Sequence, residues 1–283
     1  MIEDQYGTGP QILGLDQCQK FQLANRHWVD QIVIGPSGLF NSGTNLLSLL
    51  VKQNCYFDQR PSELYDGRAF QVPWGKHIPA YHRKDNVINH TLYQNMIQDA
   101  VLPVVTVRNP YDWFVSMCSQ PYAVRWGESV ELLENGRGYR RLICPEIVNT
   151  ENTTQEALVS YGVGNRTYET IGHLWNEWYR SYYNVMAYPR LMVRVEDLMF
   201  YPNETIHQIC QCAGAKVTKD FRLLVPSAKA EMSGHKQGGT NLLDAFLKYG
   251  KPRTYSYFPR RDLVAAKQVL DREMMDAFGY GHP

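Results

Sequence analysis

Gln31-Ile32-Val33-Ile34-Gly35-Pro36-Ser37-Gly38-Leu39-Phe40-Asn41-Ser42-Gly43-Thr44-Asn45-Leu46-Leu47 joins an apolar, β-prone run to a Gly- and Ser-rich turn and then to a helical pattern. The run predicts a strand over Gln31–Gly35. The helix after it, over Asn45–Asn54, offers Leu46, Leu47, Leu49 and Leu50 to a sheet. Strand, turn and helix start bring unpaired backbone N–H groups and the positive end of a helix dipole to one point, which is an anion site. A phosphate is the expected occupant.

What is missing narrows the phosphate. Gly38 to Gly43 has the spacing of a nucleoside-triphosphatase loop, but Thr44 and Asn45 stand where that loop carries Lys and a hydroxyl residue. Without the Lys, β- and γ-phosphates lack their usual counter-charge, and no carboxylate motif for Mg²⁺ stands out downstream. ATP chemistry is disfavoured, and a P-loop phosphotransferase is kept as the alternative.

A second anion site follows the run Leu102-Pro103-Val104-Val105-Thr106-Val107, whose composition suits a buried parallel strand. The run ends in Arg108-Asn109-Pro110-Tyr111-Asp112-Trp113-Phe114-Val115-Ser116. Asn109 is the expected helix N-cap with Pro110 at the first helical position, so Arg108 ends the strand and Ser116 lies about two turns into the helix. The Arg fork and the Ser hydroxyl suit one anion. An Arg108–Asp112 ion pair at the helix start is the plainer alternative.

Ser42-Gly43-Thr44-Asn45-Leu46-Leu47 resembles the 5′-phosphosulfate loop of the sulfotransferases that use 3′-phosphoadenosine 5′-phosphosulfate. Arg108-Asn109-Pro110-x-Asp112-x-x-x-Ser116 is similar to their 3′-phosphate motif. Arg190 to Leu198, ending Arg194-Val195-Glu196-Asp197-Leu198, resembles their strand and R-x-E-D-L segment, with a helix over Thr205–Cys212 after it. Leu270 to Tyr280 resembles their closing helix and its F-G-Y stop. Together these cover roughly residues 30 to 280 in matching order.

The resemblance implies an α/β P-loop NTPase-like sulfotransferase fold, a single doubly wound domain over 1–283 with a central parallel sheet. It implies donor binding by Asn41, Ser42, Gly43, Thr44, Asn45, Arg108 and Ser116, and a His base. His77, in Lys76-His77-Ile78-Pro79, resembles the base segment of that family with one residue fewer between Lys and His; His82 and His90 are its rivals. The acceptor it implies is a hydroxyl or amine of a small molecule or carbohydrate, and the implied scheme requires no metal. The departure from the family is Asn41, a neutral amide where the cytosolic enzymes carry the Lys that supports the leaving phosphate. Lys76 is the expected substitute, ahead of Lys52. A nucleotide-binding protein without turnover is the reading that Asn41 keeps open.

Bulk properties agree without choosing. The chain has 283 residues, 29 basic and 28 acidic, for a formal charge of +1, so neither nucleic acid nor an anionic membrane is suggested. No apolar stretch approaches the roughly 20 residues that cross a bilayer, and Met1-Ile2-Glu3-Asp4-Gln5 does not read as a signal peptide. The six cysteines, Cys18, Cys55, Cys118, Cys144, Cys210 and Cys212, lack metal-ligand spacing, and Cys210 and Cys212 point apart on a helix. Reduced thiols and a soluble cytoplasmic protein are the expectation. Against it stand four N-x-Thr sequons, at Asn89, Asn152, Asn165 and Asn203, which fit a Golgi-luminal domain trimmed of its anchor.

Thr167–Ala187 reads as a long helix whose Ile171, Leu174, Trp175, Trp178, Tyr182 and Val185 form a core face. The stretch 119–164 reads as an insertion shaping an acceptor pocket. The stretch 227–261 reads as a lid, with Lys248, Lys251, Arg253, Arg260 and Arg261 offering positive charge.

Overall fold

A computed structural model describes residues 2–58, 68–126, 156–224, 241–250, 255 and 258–283. In chain order the described elements are α1 (Ile2–Tyr6), β1 (Ile12–Leu13), α2 (Cys18–Ala24), β2 (Val33–Gly38), α3 (Thr44–Asn54), β3 (Cys55–Tyr56), α4 (Thr91–Gln94) and β4 (Val101–Val107). Then come α5 (Pro110–Ser119), β5 (Val124–Trp126), β6 (Ala157–Ser160), β7 (Asn165–Tyr168) and α6 (Ile171–Tyr183). The chain closes with β8 (Leu191–Arg194), α7 (Val195–Phe200), α8 (Pro202–Cys212), β9 (Lys216–Val217), α9 (Leu242–Tyr249), α10 (Arg260–Val269) and α11 (Arg272–Ala277). They group into two compact units. The first comprises Met1–Gly38, Ser42–Val107 and Tyr182–Arg253, and the second Leu39–Asn41, Arg108–Ser181 and Thr254–Pro283.

The first unit is built on a four-stranded sheet in the order β1-β8-β4-β2. β2, β4 and β8 run parallel, Val33 to Gly38 of β2 standing opposite Val101 to Thr106 of β4. Ile34, Leu102, Val104, Leu191 and Val193 share one face and pack on Leu47, Leu50 and Val51 of α3 and Ile206 and Ile209 of α8. On the other face Val33, Val101, Val105 and Met192 are buried as well. Burial on both sides is why β4 reads as a continuous apolar run rather than an alternation. Pro36 lies in a terminal strand, and Pro103 lies one residue before the β4–β8 ladder begins, so neither removes a donor that this ladder requires.

The expected parallel sheet is corrected at one edge. β1 pairs antiparallel with β8, Ile12 opposite Val193 and Leu13 opposite Met192, and the central sheet is mixed. An antiparallel neighbour needs no crossover helix, so a short N-terminal segment can add there directly. It is fixed by the R-x-E-D segment. Arg194 and Asp197 form a buried ion pair, Arg194 Nη2 donates to Tyr6 O at 2.7 Å, and Gln11 N–H donates to Asp197 Oδ2 at 2.9 Å.

Three boundaries also move. β2 begins at Val33 and runs on to Gly38, because its pairing with β4 continues through the Gly–Pro–Ser stretch. The helix expected over Thr167–Ala187 is Ile171–Tyr183: Asn165–Tyr168 pairs with β6 instead, and Arg190 donates to the carbonyls of Tyr182 and Tyr183 to close the helix end. α8 starts at Pro202 rather than Thr205, with Pro at its first turn. No described helix is long and apolar enough to cross a membrane.

The expectation of reduced thiols fails. Cys18 is bonded to Cys212 and Cys55 to Cys210, and Cys118 is disulfide-bonded too. Cys210 and Cys212 do point apart on α8, and for that reason each meets a different element, the start of β3 and the start of α2.

In the second unit Trp113, Phe114 and Met117 of α5, Trp175 and Trp178 of α6 and Met274, Met275 and Phe278 of the chain end are all fully or nearly fully buried. Arg180 pairs with Asp271, and Asn176 exchanges hydrogen bonds with Val269 O and Asp271 N, fixing the closing segment. β5, β6 and β7 form an antiparallel sheet. Most of the expected insertion over 119–164, Lys251 and Arg253, and much of the expected lid over 227–261 lie outside the described residues.

Candidate functional site

In the first unit the site begins with a strap. Residues 68–76 run along the outer edge of β2: Ala69 N–H donates to Ile34 O, Val72 N–H to Pro36 O, and Gly38 N–H to Lys76 O at 2.8 Å. Ser37 Oγ donates to Lys76 O as well, and Trp74, Ser37 and Tyr182 share a buried hydrogen-bonded cluster. These bonds deliver Lys76 and His77 to the end of β2, beside the helix start.

Gly43 is the N-cap of α3, with no side-chain cap, so the first-turn N–H groups of an 11-residue helix have no intrahelical partners. Its φ is 85°, in the left-handed region, and a Cβ there would run into Val195 Cγ2. Only glycine fits both constraints. A Gly43→Ala variant is expected to lose about 2–3 kcal/mol, measured by urea denaturation. Combined with Val195→Ala it should lose less than the sum of the two single changes, because the clash is relieved while the backbone strain stays. Strict additivity would show that Val195 does not shape the turn.

Ser42 is buried, its Oγ 2.9 Å from Thr106 Oγ1, which in turn donates to Ser37 O. Thr106 spends its one proton there, so Ser42 is the donor to Thr106, and its hydroxyl ties the loop to β4. Of the expected cradle, the backbone of Gly43–Asn45 carries N–H groups without intrahelical partners.

Lys76 Nζ donates to Asn45 Oδ1 at 2.9 Å and lies 4.0 Å from the centre of the Phe70 ring. Burial pushes its ammonium down to about 8, so it stays largely charged at neutral pH. Lys52, eight residues further along α3 and exposed, is about 12 Å from the helix start and cannot replace it.

His77 Nδ1 is 2.7 Å from Gly38 O. Burial pushes the imidazole down to about 4; the bond to the carbonyl works the opposite way, and the Lys76 charge the same way. The ring is therefore neutral near pH 7. A carbonyl only accepts, so the proton is on Nδ1 and the basic lone pair is on Nε2. Of the rivals, His90 is an exposed helix cap whose Nδ1 accepts from Leu92 N–H.

In the second unit the R-N-P motif folds as expected. Asn109 Oδ1 accepts from Tyr111 N–H, Pro110 opens α5, and Arg108 directly follows β4. Arg108 Nη1 donates to Asn41 O at 2.8 Å, and Trp175 Nε1 holds the Arg108 carbonyl at 3.1 Å. Ser116 is the seventh residue of α5.

Asn41 turns its side chain toward α5. Its φ is 58°, a conformation asparagine tolerates better than most residues, and its Nδ2 donates to Ser116 O at 3.2 Å and Gln120 O at 2.8 Å. The amide thus caps carbonyls at the end of α5. The strap has no signature in the sequence, because Val-Pro-Trp-Gly-Lys-His carries neither helical nor strand periodicity.

Compared with known proteins, the chain matches no family model and no curated protein.

Proposed function

We propose that the protein is a sulfotransferase that moves a sulfuryl group from 3′-phosphoadenosine 5′-phosphosulfate to a hydroxyl or amine. The observation carrying this reading is the pairing of a neutral His77, its lone pair on Nε2, with a charged Lys76 at the N-terminus of α3. A phosphotransferase site would instead put the Lys inside the loop.

The donor supplies sulfur already activated by a phosphate leaving group. The N–H groups of Gly43, Thr44 and Asn45 hold the 5′-phosphosulfate. His77 Nε2 takes the proton of the acceptor O–H or N–H as it attacks sulfur in line. Lys76 balances the charge that grows on the oxygen between sulfur and phosphorus as that bond breaks. Arg108 and Ser116 are assigned to the 3′-phosphate on the strength of their sequence motif. The acceptor is a small molecule or carbohydrate. Paired disulfides point to folding in an oxidising compartment, which favours the Golgi-luminal alternative over the cytoplasm.

Adenosine 3′,5′-bisphosphate at about 100 times its dissociation constant should stabilise the protein by about 2.7 kcal/mol, read as a rise in melting temperature without added metal. Stabilisation by ATP with Mg²⁺ and none by the bisphosphate would overturn the proposal. Sulfate transfer to a panel of phenols, sugars and amines then separates an enzyme from a binder.

A further inference from the structure

We propose that Asn89, Asn165 and Asn203 are acceptors for N-linked glycans. Two independent features meet here: three exposed sequon asparagines, and a described cysteine set that is wholly disulfide-bonded. Disulfides and N-glycans are added in the same oxidising lumen, so each makes the other expected.

The asparagines are sorted by burial. Asn25, Asn54 and Asn109 are buried, and none begins a sequon. Asn25 Nδ2 donates to Phe21 O and Asp99 O, and Asn54 Nδ2 to Leu50 O and Arg222 O, so these amides are structural. Asn89, Asn165 and Asn203 are exposed. Asn89 precedes α4, and its Oδ1 accepts from Gln94 Nε2 while Nδ2 is the reacting atom. Asn165 opens β7, a terminal strand of its sheet, and Asn203 lies in the first turn of α8. A glycan at any of them displaces no core group.

Transfer forms a bond between C1 of the first sugar and Asn Nδ2 and breaks the C1–O bond to the diphosphate of a lipid-linked oligosaccharide. The lipid diphosphate and the amide proton leave. The proposal does not depend on the reaction the protein catalyses.

The test is the full chain directed into the secretory pathway of cultured animal cells behind a cleavable signal peptide. Peptide mapping after glycan release by peptide N-glycosidase in heavy-oxygen water reads each site, and the same digest reads the Cys18–Cys212 and Cys55–Cys210 pairs. The expected result is label at Asn89, Asn165 and Asn203, with Asn→Gln at each removing one step of gel mobility. The Asn→Gln change is used at 203 because Thr205→Ala would also remove a buried hydroxyl that donates to Tyr201 O at 2.7 Å. Absence of label at these asparagines in both secreted and cell-retained chain, with the disulfides formed, would overturn the proposal. Asn152 lies outside the described residues and carries no weight in it.

Discussion

His77→Asn is expected to lower sulfuryl transfer by about 10²–10⁴-fold, the usual contribution of a positioned general base, while donor affinity changes little. Asn is the informative replacement because its amide can still donate to Gly38 O, where His77 Nδ1 now sits at 2.7 Å, yet offers no basic nitrogen. The pH profile is a second, independent measure of the same role. In the proposed reaction His77 acts deprotonated and is pushed to about 4, whereas Lys76 acts protonated and is pushed to about 8. In the free enzyme kcat/KM should therefore be level between those values, falling below the lower as His77 gains a proton and above the upper as Lys76 loses one. Bound donor, being anionic, favours protonation of both groups, so the limbs of kcat should lie higher. Lys76→Gln should remove the alkaline limb, and His77→Asn the acidic one. An acidic limb that stays in place in His77→Asn, or a variant that loses donor affinity in step with turnover, would remove His77 from the chemistry.

Breaking the two disulfides is the larger effect on stability. Cys18 and Cys212 are 194 residues apart in sequence, and Cys55 and Cys210 are 155 apart. In the chain-entropy model the first closure of such a loop is worth about 5 kcal/mol. The two are nested, so the second closes a path of only about 40 residues and adds about 4 kcal/mol. Against a total stability of roughly 5–15 kcal/mol, Cys18→Ser with Cys55→Ser should leave little or no cooperative transition at 37 °C. Either single variant should still melt cooperatively, at a lower temperature. Urea denaturation of the three variants beside the parent checks this. A double variant with an unchanged midpoint would mean that the helices α2, α3 and α8 hold together by packing alone.

The parts legible in the sequence were those fixed locally. A strand, a Gly-rich turn and a helix start announce themselves through composition, and Asn109–Pro110 marks the start of α5 because capping is a matter of three or four neighbouring residues. What escaped depended on distant partners. The role of Asn41 requires knowing that the carbonyls of Ser116 and Gln120 lie above it. The cysteines were misread because two positions on opposite sides of a helix exclude pairing with each other but not pairing with α2 and the start of β3. Helix α6 ended early because the guanidinium of Arg190, beyond the periodic stretch, takes its last carbonyls.

The strap along β2 has a consequence for how the molecule behaves in a crowded solution. β2 ends the order of its sheet, and a bare strand edge is a template on which another chain can pair. Residues 68–76 occupy that edge through the same backbone bonds that carry Lys76 and His77 to the helix start. Protection of the strand edge and placement of the proposed catalytic pair therefore rest on one short stretch of chain. A change that loosens it, such as a proline at Ala69 or Val72, where an N–H is donated to β2, would cost both together, and the aggregate would be a sign of the lost chemistry.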